Sequence, residues 1–171
     1  MGNKPSSALD EIIDAYQLEC DLLVIARRTI DSDQMTILSG TGFIARPVHV
    51  AREDVRRLRA RLDDVTVMAL WTVFERYVLT HVMSQVRVGS ATSSFDTLLE
   101  EHIAEQLEYS RFDELLDLFK ADIDSRDVGD VKNVKKYRDW IAHRNPKRRA
   151  PAVIDPMTAR AKLGDVMDQI V

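Results

Sequence analysis

The chain has 171 residues, 45% of them hydrophobic and 30% charged, with six Gly and five Pro; a single domain of roughly 100–200 residues can bury a core of that size. These fractions exclude a disordered or collagen-like chain, and no stretch approaches the roughly 18 uncharged apolar residues of a membrane helix. Net charge is −4, but the window from Lys132 to Arg149 holds eight Lys/Arg and one acid, so it carries +7 and leaves −11 elsewhere. A lone cysteine, Cys20, rules out an internal disulfide and a Cys-cluster metal site. With no secretory signal pattern at the N-terminus, a reducing, cytoplasmic location is expected.

In chain order the sequence predicts helices nearly throughout. Ser6 and Ser7 are candidate caps for a first helix over about residues 7–30, along which Leu9, Ile12, Ile13, Tyr16, Leu22, Leu23, Ile25 and Ala26 recur mostly every three or four residues. Residues 31–50 break the period. Ser39-Gly40-Thr41-Gly42 and Pro47 are turn signals there, and the segment reads as a connector with room for a short extended piece. Gly40 and Gly42 lack the spacing and the strand-to-helix setting of a phosphate loop.

A long helix is expected from Ala51 to about Val88, charged up to Asp64 and then apolar on most sides, with Leu70, Phe74, Tyr77, Val78, Leu79 and Val82 on its buried face. Glu75 is an acid inside that apolar run and reads as a solvated helix position. Gly89 to Ser94 reads as a linker, followed by helices from Phe95 to about Glu108 and from Arg111 to Ile123. The next helix runs from about Asp127 to Arg144 and stops at Asn145, because Pro146 disfavours helical backbone in the residue before it. Asp155-Pro156 is an N-cap followed by proline at the first helical position, opening a last helix to Ile170. There is no internal repeat, heptad series or low-complexity tract.

The most informative stretch is Tyr137-Arg138-Asp139-Trp140-Ile141-Ala142-His143-Arg144-Asn145-Pro146. At roughly 100° per residue, Asp139 and His143 lie about 40° apart, close enough for the carboxylate to orient or charge-stabilise the imidazole. Lys132 and Lys136 project onto the same stripe. Val134, Tyr137 and Ile141, with Val131 and Trp140 at the margins, form the anchoring face. Arg138 and His143 are about 140° apart around the helix, so one helix alone does not bring them together. The same cations also suit a helix C-terminus, where they meet the negative end of the dipole. His49, His81 and His102 fall in different segments without metal-ligand spacing, so no metal site and no cofactor are expected.

These residues resemble the HEPN superfamily, whose signature is Arg-x4-6-His with a polar residue after the arginine; here it is Arg138, Asp139 and, after four intervening residues in all, His143. The resemblance covers the segment from Val65 to Asn145, and leaves out residues 1–50 and the tail beyond Pro151. It implies an all-α helical bundle of the HEPN type, here with an additional N-terminal helix. Within one domain, residues 1–50 would form that helix and a connector, 51–145 the core with the motif helix, and 146–171 a basic loop and a last helix. It further implies a metal-independent endoribonuclease, commonly a toxin or defence effector, working as a symmetric homodimer with the motif helix at the interface.

In that picture His143 serves as general base or acid, Arg138 stabilises charge on the phosphoryl group, and Asp139 positions one of them. Glu75 is a candidate for the acid that the family sometimes carries on its central helix. Lys132, Lys136, Arg144, Asn145, Lys147, Arg148 and Arg149 would hold the RNA, the cations through its phosphates. A toxin of this kind would have a cognate antitoxin or regulatory protein as partner. A second class fits the same residues: a non-catalytic helical module that binds RNA or docks a protein in a two-component system.

Overall fold

The computed structural model describes residues 4–32, 34, 36–88, 98, 102–103, 105–106, 111–143 and 149–170. The described residues form a single-turn 3₁₀ helix, Pro5–Leu9, then α1 (Asp10–Asp31), α2 (Val48–Val88), α3 (Phe112–Leu118), a 3₁₀ turn (Phe119–Ala121), α4 (Ser125–His143) and α5 (Pro156–Gln169). No strand occurs among them, so the chain is an all-α bundle. Among the described residues no helix is long and apolar enough to cross a membrane. Of the expected helix from Phe95 to Glu108 only residues 98, 102–103 and 105–106 are described, and these are helical; the stop at Asn145 lies outside the described residues.

The 41-residue α2, about 60 Å long, is the axis of the fold. Its second half buries Val67, Leu70, Trp71, Phe74 and Val78 completely, because apolar side chains there recur at three- and four-residue spacing and neighbouring helices cover them. α1 runs antiparallel along the charged first half. Near its start the Tyr16 hydroxyl donates to Asp63 (2.8 Å) and accepts from Arg59 (2.7 Å), and at its end Asp31 meets Arg52 (2.6 Å). Burial and the adjacent Asp63 carboxylate hold the Tyr16 phenol well above its ordinary range.

α3 runs in the direction of α2, with Phe112 edge-on to Trp71 and Phe119 near His81. The chain then turns, and α4 returns antiparallel to α2, so that Tyr137 reaches Asp64 (2.8 Å). The carbonyl of Asp124 accepts from Asp127 and Val128, and its carboxylate accepts from the Arg126 N–H, starting α4 two residues before the expected Asp127. α5 packs against α2, α4, α1 and the N-terminal 3₁₀ turn. Its start is the expected one: Asp155 accepts from the Thr158 N–H (3.0 Å), with proline at the first position.

Three expectations are corrected. Ser6 does not cap α1; its N–H and hydroxyl both donate to Asp168 at the far end of the chain (3.1 and 2.9 Å). Residues 48–50 belong to α2 rather than to the connector, because the Pro47 carbonyl accepts from Val50 and Ala51 and proline suits a helix start. The described part of the connector holds no extended piece; it is a series of turns, with Gly40 at φ +78°, a conformation that costs glycine little.

Both ends of the described chain contribute to the core. Leu9 and Ile13 at one end and Leu163, Val166 and Met167 at the other are part of the same apolar cluster as Trp71 and Val134. A smaller cluster of Ile30, Leu38, Ala51 and Val55 closes the α1–α2 hairpin over the connector.

Candidate nucleic-acid site on the fourth helix

α4 is two-sided, as its sequence predicts. Val128, Val131, Val134, Tyr137 and Ile141 are buried against the bundle, and Tyr137 stacks on the half-buried Trp140 at 17° between ring planes. Lys132, Lys135, Lys136, Arg138, Asp139 and His143 lie on the remaining surface.

Arg138 is the centre of that surface. Its guanidinium sits 5.8 Å from the ring centroid of the buried Trp71, within cation–π range. One nitrogen donates to Asp139 (2.9 Å) and another to Glu75 on α2 (3.3 Å). Asp139 also accepts from Lys135 (2.8 Å), which in turn lies 3.5 Å from Asp113 on α3. Three helices thus meet in one chain of alternating charge. Burial alone would raise the Asp139 carboxyl, but hydrogen bonds and charge from Lys135 and Arg138 outweigh it and hold the group below the usual carboxylate range. The same contacts raise Lys135 against its own burial.

The predicted residues are therefore placed unequally. His143 is the last residue of α4 and exposed, and it makes no hydrogen bond or ion pair with a described residue. Asp139 does not contact it, since its carboxylate oxygens face Arg138 and Lys135. Lys132 is held by Asp117, which Lys120 also contacts (2.8 Å), and the two ammonium groups depress the Asp117 carboxyl. Lys136 is exposed with no ion pair among the described residues, and Arg149 is exposed. Arg144, Asn145, Lys147 and Arg148 lie outside the described residues. The +7 window is thus partly neutralised by acids from other segments.

Sequence reasoning singled out Glu75 without placing it against Arg138, and passed over Lys135 and Asp113. An acid in an apolar helical run was the signal for Glu75, and the four-residue spacing to Asp139 was the signal for Lys135. The indole N–H of Trp71 is buried with no acceptor among the described residues, so the ring serves Arg138 through its face. Among the described residues no three His, Cys, Asp or Glu side chains are grouped as a metal site. Comparison of the chain with protein-family models, with curated proteins and with solved structures gives no match, and the site rests on its own geometry.

Proposed function

We propose that the chain is a metal-independent endoribonuclease of the HEPN type, a toxin or defence effector acting in the cytoplasm, with Arg138 and His143 as its catalytic groups. The observation that supports this most is Arg138, fixed between Glu75 and Asp139 over the Trp71 ring while still partly open to solvent, on the same helix as an exposed histidine. A guanidinium held in this way is pre-oriented for a phosphate, and bidentate phosphate contact is a strength of arginine. His143 takes the proton from a ribose 2′-hydroxyl as its oxygen attacks the adjacent phosphorus, or delivers a proton to the departing 5′-oxygen. The products are a 2′,3′-cyclic phosphate and a 5′-hydroxyl. Arg138 stabilises the charge that develops on the phosphoryl oxygens, and Asp139, Glu75 and Lys135 act as positioning residues through it.

Lys136 and Arg149, with Lys132, Arg144, Asn145, Lys147 and Arg148, would bind the RNA backbone. The partners in this reading are RNA, a second copy of the chain and a cognate antitoxin or regulatory protein. The test is a pair of matched oligonucleotides incubated with the protein in EDTA: the RNA is cut to cyclic-phosphate ends and the DNA, which has no 2′-hydroxyl, stays intact. Cutting of both, or cutting only with added divalent metal, would refute the mechanism.

A second reading is favoured by the ion pairing itself. Two carboxylates already match the Arg138 charge and nothing described orients His143, an arrangement that equally suits a non-catalytic module binding RNA or docking a protein. That reading predicts RNA binding that persists in His143→Ala with no cleavage by either protein.

A further inference from the structure

The apolar packing of the α1–α2 hairpin is interrupted at mid-length. Toward one end Leu9 and Ile13 join the main core, and toward the other Ile30, Leu38 and Ala51 form the smaller cluster. Between them Cys20, Leu23 and Val24 of α1 face Val55 of α2. These side chains are too short to fill the space, and a groove of about 350 Å³ opens along the hairpin, within the roughly 300–1,000 Å³ of small-molecule sites. Leu23, Val24 and Val55 make its floor apolar, while Arg27, Arg52, Arg56 and Arg59 stand around it, and no acid is among the described residues that line it. Glu19 and Asp21 project about 100° to either side of Cys20 around α1, away from the groove.

We propose that this groove binds a small amphiphilic anion, a carboxylate carried on an unbranched apolar chain. The surrounding ion pairs leave the wall positive. Asp31 accepts from Arg52 (2.6 Å) and lies 3.7 Å from Arg27, and Glu53 serves both Arg56 and Arg57. With Arg59 on Asp63, five arginines thus meet three carboxylates. A guanidinium has five N–H donors and spends only one or two of them in such pairs, so the held groups still have donors for a further carboxylate. Arg59 has the fewest to spare, because it donates to both Asp63 (3.0 Å) and the Tyr16 hydroxyl (2.7 Å). The head group therefore lies among Arg27, Arg52 and Arg56, and the chain runs over Leu23, Val24 and Val55 toward Cys20. The apolar floor decides against an inorganic anion, which gains nothing from it, and the arginines against an uncharged chain. No residue of α4 lines the groove, so this site stands independently of the reaction proposed above.

Isothermal titration calorimetry of the full chain with decanoate, below its micelle-forming concentration, tests it. Decanoate should bind saturably at one site, and decanol and acetate, which lack the charge and the chain respectively, should each bind at least tenfold more weakly. Cys20 is the only cysteine and reports the location: saturating decanoate should slow its alkylation by iodoacetamide at least tenfold. Val24→Glu, which sets a carboxylate in the wall, and Arg56→Gln should each weaken binding at least fivefold with unchanged helicity, because both side chains are exposed. Absence of saturable binding, equal affinity for decanol or for acetate, binding that leaves the alkylation rate of Cys20 unchanged, or binding indifferent to both substitutions would each overturn the proposal.

Discussion

Asp139 stabilises the fold only while it is ionised. Its carboxyl is held below its ordinary value, so its stabilising contribution is complete above the unfolded-state pKa of about 3.9 and is lost as pH falls through the lower folded value. The side chain is 37% exposed, so screening keeps the contribution of its two ion pairs to about 0.5 kcal/mol. Asp139→Asn should therefore cost about that much at pH 7 and progressively less as pH falls through the folded-state value, as urea titrations over that range would reveal. Contacts of this kind are only half legible in a sequence. The pairing of Lys135 with Asp139 follows from a spacing of four, but that of Arg138 with Glu75 spans 63 positions and depends on how α4 crosses α2. The packing of α3 against α4 brings Asp113 and Asp117 to the lysines of α4, so counting charges along the chain overstates the positive field at the site.

Helix boundaries were legible where the chemistry that sets them is local. Asp155, Pro156 and Thr158 make the start of α5 within four residues, and Asp155→Ala should cost about 1 kcal/mol in thermal or denaturant unfolding. Pro47 shows the opposite case, since a proline suits both a turn and the first turn of a helix. Only the acceptance of the Val50 and Ala51 N–H groups by its carbonyl distinguishes the two. Periodicity in α1 groups Leu22 and Ile25 with Ile13 and Tyr16, but their directions around the helix separate them: the first two are exposed and the other two buried.

At the scale of the molecule, the all-α class followed from periodicity because nearly every long segment repeats at helical spacing. The closure of the fold did not. Ser6 bonds Asp168, and Tyr77 donates to the Ile170 carbonyl (2.6 Å); together these tie both ends of the chain to α2, and nothing local signals either contact. The result is a bundle in which α2 carries α1 on one side and the arginine–histidine face of α4 on another. The proposed activity is RNA cleavage at the α4 face. Its most direct test is cleavage of total RNA in the presence of EDTA by the wild-type protein and by His143→Ala, with the 3′ ends of the products examined. Cleavage by the wild type alone, leaving 2′,3′-cyclic phosphate, is the predicted result; an equal yield from both proteins, or intact RNA with a folded wild-type protein at low salt, would contradict it.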